Sequence, residues 1–255
     1  QTALKEGGRT GGGTTRHRLR DALVVTEIAL ALVLLVGAGL MIRSVWRLLE
    51  VNPGFRTENL LTMRISLPEA KYQEAGKTEN FYRQLDSRLE ALPGVKGVGL
   101  VNVVPLQGGF TTAFYAAGQP KPLRGQETEG NLRYVSSGYF QAMGVPLIKG
   151  RQLSRNDRAG APRVLLVNQA FVKQFFPNTE PLGKHVVMDS QSWEIVGVTG
   201  DVRYESAGYE AEPILHMSIL QQYDPSLTIQ VRTQAAPGTL SAPIRTALSA
   251  LQPGL

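Results

Sequence analysis

The sequence predicts an α+β protein in which an N-terminal transmembrane helix precedes a split β-α-β subdomain with an inserted, strand-rich subdomain. Three observations support this class. Residues 22–42 form an apolar run in which Glu27 is the single charge. A strand-helix pattern occurs near both ends of the remaining sequence, and residues 105–225 between them are rich in short strand patterns.

The apolar run is long enough to cross a bilayer, because about 20 apolar residues at a rise of 1.5 Å span the hydrocarbon core. It is longer than a signal-peptide core, and Arg43, Trp46 and Arg47 follow where small cleavage-site residues would be needed. We predict a helix over residues 16–51 that extends beyond the bilayer, with Trp46 at the headgroups. The glycine-rich residues 1–15 are predicted to form a flexible cytoplasmic linker.

Positive charges around the run predict its orientation. Basic residues before the run outnumber those just after it: Lys5, Arg9, Arg16, Arg18 and Arg20 against Arg43, Arg47 and Arg56. Because positively charged flanks stay in the cytoplasm, the N-terminus is predicted to be cytoplasmic and the main domain extracytoplasmic. The same charges favour anionic headgroups, so the lipid bilayer is a predicted partner.

Glu27 is a candidate functional residue, since a carboxylate inside a membrane span is costly and needs a reason. It lies near the cytoplasmic end of the run, where it can reach the interface or pair with Arg20. We therefore favour a role in packing or pairing over a role in a proton relay.

The helix is predicted to end at a joint formed by Asn52, Pro53 and Gly54. Proline removes a backbone donor and glycine tolerates a tight turn, whereas the sequence from Ser44 to Glu50 contains no helix breaker. The joint therefore connects a stiff helix to the outer domain.

The outer domain begins with a β-α-β pattern within residues 52–104. Apolar residues alternate over 60–67, recur at helical spacing over 78–92, and are followed by a strand pattern over 95–104. Pro93 and Gly94 separate the helix from the second strand.

A second strand-helix pattern occupies residues 226–255, with a strand over 228–233 and a helix over 239–251. A closing strand is expected after that helix, so this unit is one strand short. Residues 52–104 and 226–255 together predict the split β-α-β subdomain.

Residues 105–225 are predicted to be an inserted mixed α/β subdomain. Strands are expected over 131–135, 163–167, 193–198 and 214–219, short helices over 138–143 and 169–175, and loops over 107–109 and 118–130.

Composition argues against several functions. The net charge is +6, but the basic residues outside the membrane flank are dispersed, so we predict no nucleic-acid partner. Cysteine is absent, which rules out disulfides and thiolate ligands. Gly76, Lys77 and Thr78 resemble the end of a P-loop, but position 71 is lysine where the first glycine is needed.

The three histidines, His17, His185 and His216, lack metal-ligand spacing, and no nucleophile-elbow motif is present. We therefore expect no cofactor, no metal and no catalytic site. A membrane-tethered hydrolase stays open as an alternative, and it would require a polar cluster in a pocket around His185 or His216.

A series of segments in fixed order carries a resemblance to a known family. The segments are LVVTEIALALVLLVGAGL at 23–40, RS at 43–44, NPGF at 52–55, LPGV at 92–95, VSSGYF at 135–140, GR at 150–151, VN at 167–168, FP at 176–177, PLGK at 181–184 and WEIVGVTGDVR at 193–203. In this order the chain resembles the MacB/FtsX-type ABC transporter permeases, specifically the duplicated orphan permeases.

The resemblance implies a non-enzymatic subunit of the inner membrane with a periplasmic domain, whose β-α-β part is porter-like. It also implies three further transmembrane helices, a cytoplasmic ATPase subunit as partner, and a second permease module, as a dimer or an internal repeat. In such families the helices transmit ATPase closure to the outer domain, which is called mechanotransmission, in export or another envelope process. The alternative from another class is a membrane-tethered binding or sensory module without transport activity.

Overall fold

The computed structural model describes residues 13–68, 72, 75–118, 122–123, 126, 128–204, 210–222, 224–234 and 236–252. The chain divides into two compact units, Gln1–Val51 and Asn52–Leu255, and each is described by itself. Most of the predicted linker, residues 1–12, lies outside the described residues.

The first unit contains the helix α1 (Gly13–Glu50), which has 38 residues and is therefore about 57 Å long at a rise of 1.5 Å per residue. It includes Gly13, Thr14 and Thr15, which the sequence assigned to the linker; no proline interrupts these residues, so the helix extends into them. Its described apolar side chains are exposed, as at Leu35 (70%) and Met41 (74%). Among the described residues, one helix is long and apolar enough to cross a membrane, over Arg20–Arg47 with a mean hydropathy of 2.5.

The second unit is mixed α/β, which confirms the predicted class of an apolar helix followed by an α+β domain. Its elements in chain order are β1 (Leu60–Ser66), α2 (Ala75–Glu90), β2 (Val95–Val101), β3 (Phe110–Ala116), β4 (Thr128–Val135), α3 (Tyr139–Met143), β5 (Leu147–Gly150), β6 (Val164–Asn168), α4 (Gln169–Phe175), β7 (His185–Met188), β8 (Gln191–Thr199), β9 (Ile214–Ser218), β10 (Ser226–Thr233), a 3-10 turn (Pro237–Leu240) and α5 (Ser241–Leu251).

At one end of the sheet, β10 lies between β1 and β2 and is antiparallel to both. Helices α2 and α5 cover one face of these strands, because their apolar residues recur every three or four positions. The core between them includes Leu85 from α2, Leu100 from β2 and Ile244 from α5, each fully buried. The porter-like description of this part is implied by the family resemblance and stays a prediction.

The remaining strands form a closed ring, because β4 pairs with β3 on one side and with β9 on the other. The ring runs through β4, β3, β7, β8, β6 and β9, and β5 pairs with β8 outside it. Alternate residues fill the interior, including Leu165, Trp193 and Leu215. The same hydrogen-bonded sheet continues from this barrel into the strands β1, β10 and β2. The predicted boundaries of the inserted subdomain, residues 105–225, therefore stay a prediction.

Three strands in the second unit were not predicted from the sequence: β3, β5 and β7. The predicted loop over 118–130 is also wrong at its end, since β4 begins at Thr128. These strands are short or follow glycines, and they are held by barrel partners that are distant in sequence, such as Tyr115 with Val187. The alternation of apolar and polar residues within one short strand does not indicate which distant strand it pairs with.

Candidate functional site

The predicted joint is a compact turn at the start of the second unit. The Asn52 side-chain Oδ1 accepts a hydrogen bond from the Gly54 amide at 2.8 Å, which is the self-capping turn that asparagine favours. The Pro53 carbonyl accepts a hydrogen bond from the Arg203 amide at 3.0 Å. The joint is therefore fastened to the segment that follows β8.

Gly54 is required by geometry. Its φ is +85°, and a Cβ placed there would lie 1.9 Å from the Asp201 carbonyl oxygen and 3.1 Å from the Val202 Cα. Because these neighbours are backbone atoms, no side-chain rotation relieves the contact. The neighbouring Asp201 side chain in turn accepts a hydrogen bond from the Ala170 amide at 2.9 Å, at the start of α4.

The residues after the joint are also tied to the domain by backbone contacts. The Arg56 amide donates to the Met143 carbonyl at 2.9 Å. Arg232 of β10 donates to the carbonyls of Arg56, Glu58 and Ala142 at 2.8, 2.7 and 2.6 Å. One guanidinium thus connects the entry segment, the central strand β10 and α3.

A wide groove of about 1570 Å³ lies beside the joint within the second unit. One wall is the entry segment with the chain before and within β5, and the other is α4 with the loop that follows it. Its charged lining is mixed: Arg56, Lys149, Lys173, Glu180, Asp201, Arg203 and Glu210. Lys149 and Glu180 form an ion pair at 3.0 Å with both side chains 55% exposed.

Sequence reasoning missed a buried polar cluster around Arg133 on the outer face of the barrel. Arg133 is fully buried and donates to the carbonyls of Leu132 at 2.7 Å and Gly108 at 3.0 Å. Its guanidinium lies 4.5 Å from the centre of the Tyr204 ring, and the Tyr204 and Tyr139 hydroxyls are 2.5 Å apart. Burial raises the pKa of Tyr204 to about 12, so both hydroxyls stay neutral.

The signal for this cluster in the sequence was weak. Arginine within a strand usually projects into solvent, and a buried arginine is rare. The one local hint is the glycine pair at 108–109: a Cβ at Gly109 would meet the Arg133 guanidinium at 2.2 Å. Only a small residue leaves room for the guanidinium at that point.

His216 is fully buried next to this cluster on β9, in edge-to-face contact with Phe140 at 5.0 Å. Burial and the nearby Arg133 charge lower its pKa to about 3, so the ring is neutral. Neither ring nitrogen has a hydrogen-bond partner in the part of the chain that is described. His216 does not line the groove, and His185 is exposed at the start of β7.

No cluster of three or more metal-ligating side chains occurs among the residues that the structure describes. The hydrolase alternative requires a polar cluster in a pocket around His185 or His216, and neither histidine lines the groove. The groove and the joint are therefore the features of the outer domain on which a function can be built.

The predicted flank residues lie along α1. Arg18, Arg20, Arg43, Trp46 and Arg47 are exposed, whereas the Arg16 side chain is outside the described part of the chain. Arg20 and Arg43 are about 35 Å apart along the helix, close to the thickness of a bilayer core. Glu27 is exposed on the helix surface, and no ion pair to it occurs among the described side chains.

Comparison with known proteins gives one family match, the model of the MacB-like periplasmic core domain, over residues 22–251. The uncharacterized ABC transporter permease YknZ of Bacillus subtilis (strain 168) is 25% identical over 197 residues, which is 71% of this chain and 43% of that protein. The macrolide export ATP-binding/permease protein MacB of Aggregatibacter actinomycetemcomitans is 31% identical over 74 residues, covering 29% of this chain and 12% of that protein.

Among solved structures, the periplasmic region of MacB from Actinobacillus actinomycetemcomitans matches with a TM-score of 0.50 and 17% identity, covering 80% of this chain and 89% of that one. At this identity the match concerns the fold alone. The chain spans less than half the length of the two curated relatives described above.

Proposed function

The chain belongs to the family of MacB-like periplasmic core domains, and from that premise we propose that it is an outer domain, with the membrane helix that precedes it, of an ABC transporter-type permease. The membership confirms the resemblance that the sequence suggested, whereas the duplicated orphan subgroup stays a prediction. The observation that carries the proposal is the joint: a helix long enough to cross the membrane leads directly into a turn fastened to the outer domain by backbone contacts.

We propose that the chain does not hydrolyse ATP and that a cytoplasmic ATPase subunit acts on it through α1. A helix is stiff along its axis, so a displacement at its cytoplasmic end reaches the joint. Useful work then requires an outer domain with two states whose equilibrium the helix shifts. A second permease module, as a dimer or an internal repeat, is the other proposed partner besides the ATPase and the lipid bilayer.

We place the chain in the inner membrane with a cytoplasmic N-terminus, on the strength of the basic flank before the span. Because residues 1–255 contain no cysteine, a single cysteine placed in this chain is its one thiol, and its labelling reports on which side of the membrane it lies. Thr179→Cys in the outer domain is expected to react with a membrane-impermeant maleimide in intact spheroplasts, and Thr10→Cys only after lysis. The reverse pattern would refute the orientation.

The coupling proposal is tested in the full-length permease reconstituted with its ATPase in nanodiscs. Gly54→Ala is expected to reduce ATPase-driven activity by at least tenfold, while Gly94→Ala, at a glycine with the same φ and an open environment, is expected to retain it. Full activity in Gly54→Ala, or an equal loss in both variants, would contradict a role for the joint.

The second candidate is a membrane-tethered binding or sensory module without transport activity, and the wide groove favours it. The parent gene separates the two candidates. Three apolar segments encoded downstream of Leu255 support the permease, whereas a stop codon at that point supports the tethered module.

A further inference from the structure

The barrel and the β1-β10-β2 strands meet at a narrow junction in the sheet. Strands β2 and β4 share a single register pair, Val101 with Val135. Two backbone hydrogen bonds flank it: the Ser136 amide donates to the Leu100 carbonyl at 2.9 Å, and the Asn102 amide to the Tyr134 carbonyl at 3.2 Å. Two side-chain hydrogen bonds also cross it, from the Leu100 amide to the Ser136 Oγ at 2.9 Å and from the Tyr134 amide to the Asn102 Oδ1 at 3.0 Å, so the junction is confined to one register pair and the residues beside it.

On one face of β2 this junction is reinforced by close apolar packing. A side chain at Gly97 or Gly99 would project towards α3. A Cβ at Gly99 would lie 2.8 Å from the Tyr139 Cα. Gly138, at the start of α3, leaves even less room, since a Cβ there would lie 2.2 Å from the Val98 carbonyl oxygen. The α3 helix therefore sits almost directly on the backbone of β2.

On the opposite face the reinforcement is electrostatic. Val98 and Leu100 alternate with the two glycines and pack into the core beneath α2. The chain between β5 and β6, residues 151–163, which we name the strap, reaches α2 on that side. Arg155 of the strap donates to Asp86 at 2.8 Å and to Glu90 at 2.7 Å, both on α2.

The strap is braced internally before it reaches α2. Asp157 is buried and accepts hydrogen bonds from Arg151 at 2.8 and 2.9 Å and from the Ser154 amide at 2.7 Å. Burial alone would raise the pKa of Asp157, but the hydrogen bonds from Arg151 and Ser154 hold it below its usual value. A rigid loop can present Arg155 in one position at a low cost in entropy.

Arg155 joins two like charges that would otherwise repel each other. Asp86 and Glu90 are four residues apart and therefore lie on the same side of α2. The Asp86 side chain is buried, so losing its cationic partner leaves a desolvated carboxylate beside a second one. A second strap cation, Arg158, lies 3.9 Å from Glu79 on the same helix.

We propose that the strap is a releasable fastener that holds the barrel to α2. While the Arg155 ion pairs are formed, the barrel is held on both sides of β2. Helix α3 packs on one face, and the strap binds α2, which covers the other face. When the pair opens, the barrel loses its link to α2 and moves more freely about the Val101–Val135 junction. The device belongs to the outer domain and does not depend on the proposed transport function.

The proposal is tested by amide hydrogen exchange in the full chain in nanodiscs. Arg155→Gln is expected to accelerate exchange about fivefold at the Ser136 and Asn102 amides, which cross the junction, because an ion pair of this exposure contributes on the order of one kcal/mol. Exchange within β6 and β10 is expected to stay unchanged. The matched control is Lys149→Gln, which removes an exposed ion pair elsewhere and is expected to leave all of these amides unaffected.

Salt provides a second test that needs no variant. Raising the ionic strength is expected to accelerate the Ser136 and Asn102 amides in the natural chain and to have no further effect in Arg155→Gln, since the screened pair is already absent. Equal behaviour of Arg155→Gln and Lys149→Gln would overturn the proposal. It is likewise overturned if exchange rises uniformly through β6 and β10, or if the salt effect persists in Arg155→Gln.

Discussion

Replacing Gly54 by alanine tests whether the joint has the rigid contact that the geometry describes. At φ = +85° any residue with a Cβ is strained, which costs about 1 kcal/mol. The added methyl would also lie 1.9 Å from the Asp201 carbonyl oxygen. Forcing the backbone apart to relieve such an overlap costs a further 1–3 kcal/mol or so. We therefore expect Gly54→Ala to destabilise the outer domain by about 3 kcal/mol.

Gly94→Ala is the matched control for this perturbation. Gly94 also has φ = +85°, but a Cβ there would meet no atom within 4 Å. It carries the dihedral strain without the overlap, so about 1 kcal/mol is expected. For a domain of this size each kcal/mol lowers the melting temperature by roughly 2–4 °C, which gives about 9 °C for Gly54→Ala and about 3 °C for Gly94→Ala.

The assay is thermal unfolding of the full chain in detergent, in a Trp46→Phe background so that the fluorescence comes from Trp193, which is 4% exposed in the barrel interior. Hydrogen exchange of the Arg203 amide measures how stable the joint itself is, because this amide donates to the Pro53 carbonyl. A melting shift in Gly54→Ala no larger than that in Gly94→Ala, with the Arg203 amide equally protected in both, would refute the reasoning.

Two further predictions concern the buried cluster on the barrel. Because the pKa of His216 falls from 6.5 in the unfolded chain to about 3 in the folded one, the unfolded chain binds the proton first, and lowering the pH from 6.5 to 5 is expected to remove about 2 kcal/mol of stability. His216→Leu is expected to abolish that component of the pH dependence of the melting temperature, whereas His185→Leu leaves it intact; an unchanged pH profile in His216→Leu would contradict it. Tyr204→Phe leaves the buried Tyr139 hydroxyl without this partner, so a cost of about 1–3 kcal/mol is expected. The double variant Tyr139→Phe with Tyr204→Phe is expected to lose less than the sum of the single variants in urea unfolding, and strict additivity would show that the hydroxyls do not interact.

The sequence predicted those elements whose side chains follow a regular period. The helix predicted over residues 16–51 ends at Glu50, one residue earlier, because proline and glycine at 53–54 stop it. The short helix over 169–175 coincides with the structure, since Asn168 caps it by accepting a hydrogen bond from the Phe171 amide. Both signals act within a few residues, which is the range that single-sequence reasoning covers.

What the sequence could not predict depends on contacts made far along the chain. Strand β7 has four residues and exists because β3 and β8 pair with it on either side. The strand predicted over 214–219 is present as β9, but its burial on both faces could not be predicted, since α3 and the Arg133 cluster cover the side that faces outward in an ordinary barrel. The joint was recognised as a breaker, whereas its contact with Asp201 required coordinates.

The central position of β10 sets the order in which the outer domain is completed. Its neighbours β1 and β2 lie at the opposite end of the domain sequence, and 174 positions separate Glu58 from Arg232, whose side chain bonds to the Glu58 carbonyl. During synthesis β1, α2 and β2 emerge first and stay without their shared neighbour until nearly all of the strands of the domain have been made. The barrel strands all precede β10 in the chain and can close before it arrives. Such distant pairing slows folding and leaves strand edges open meanwhile, so the β1–β2 region is where a nascent chain is most exposed to misassembly.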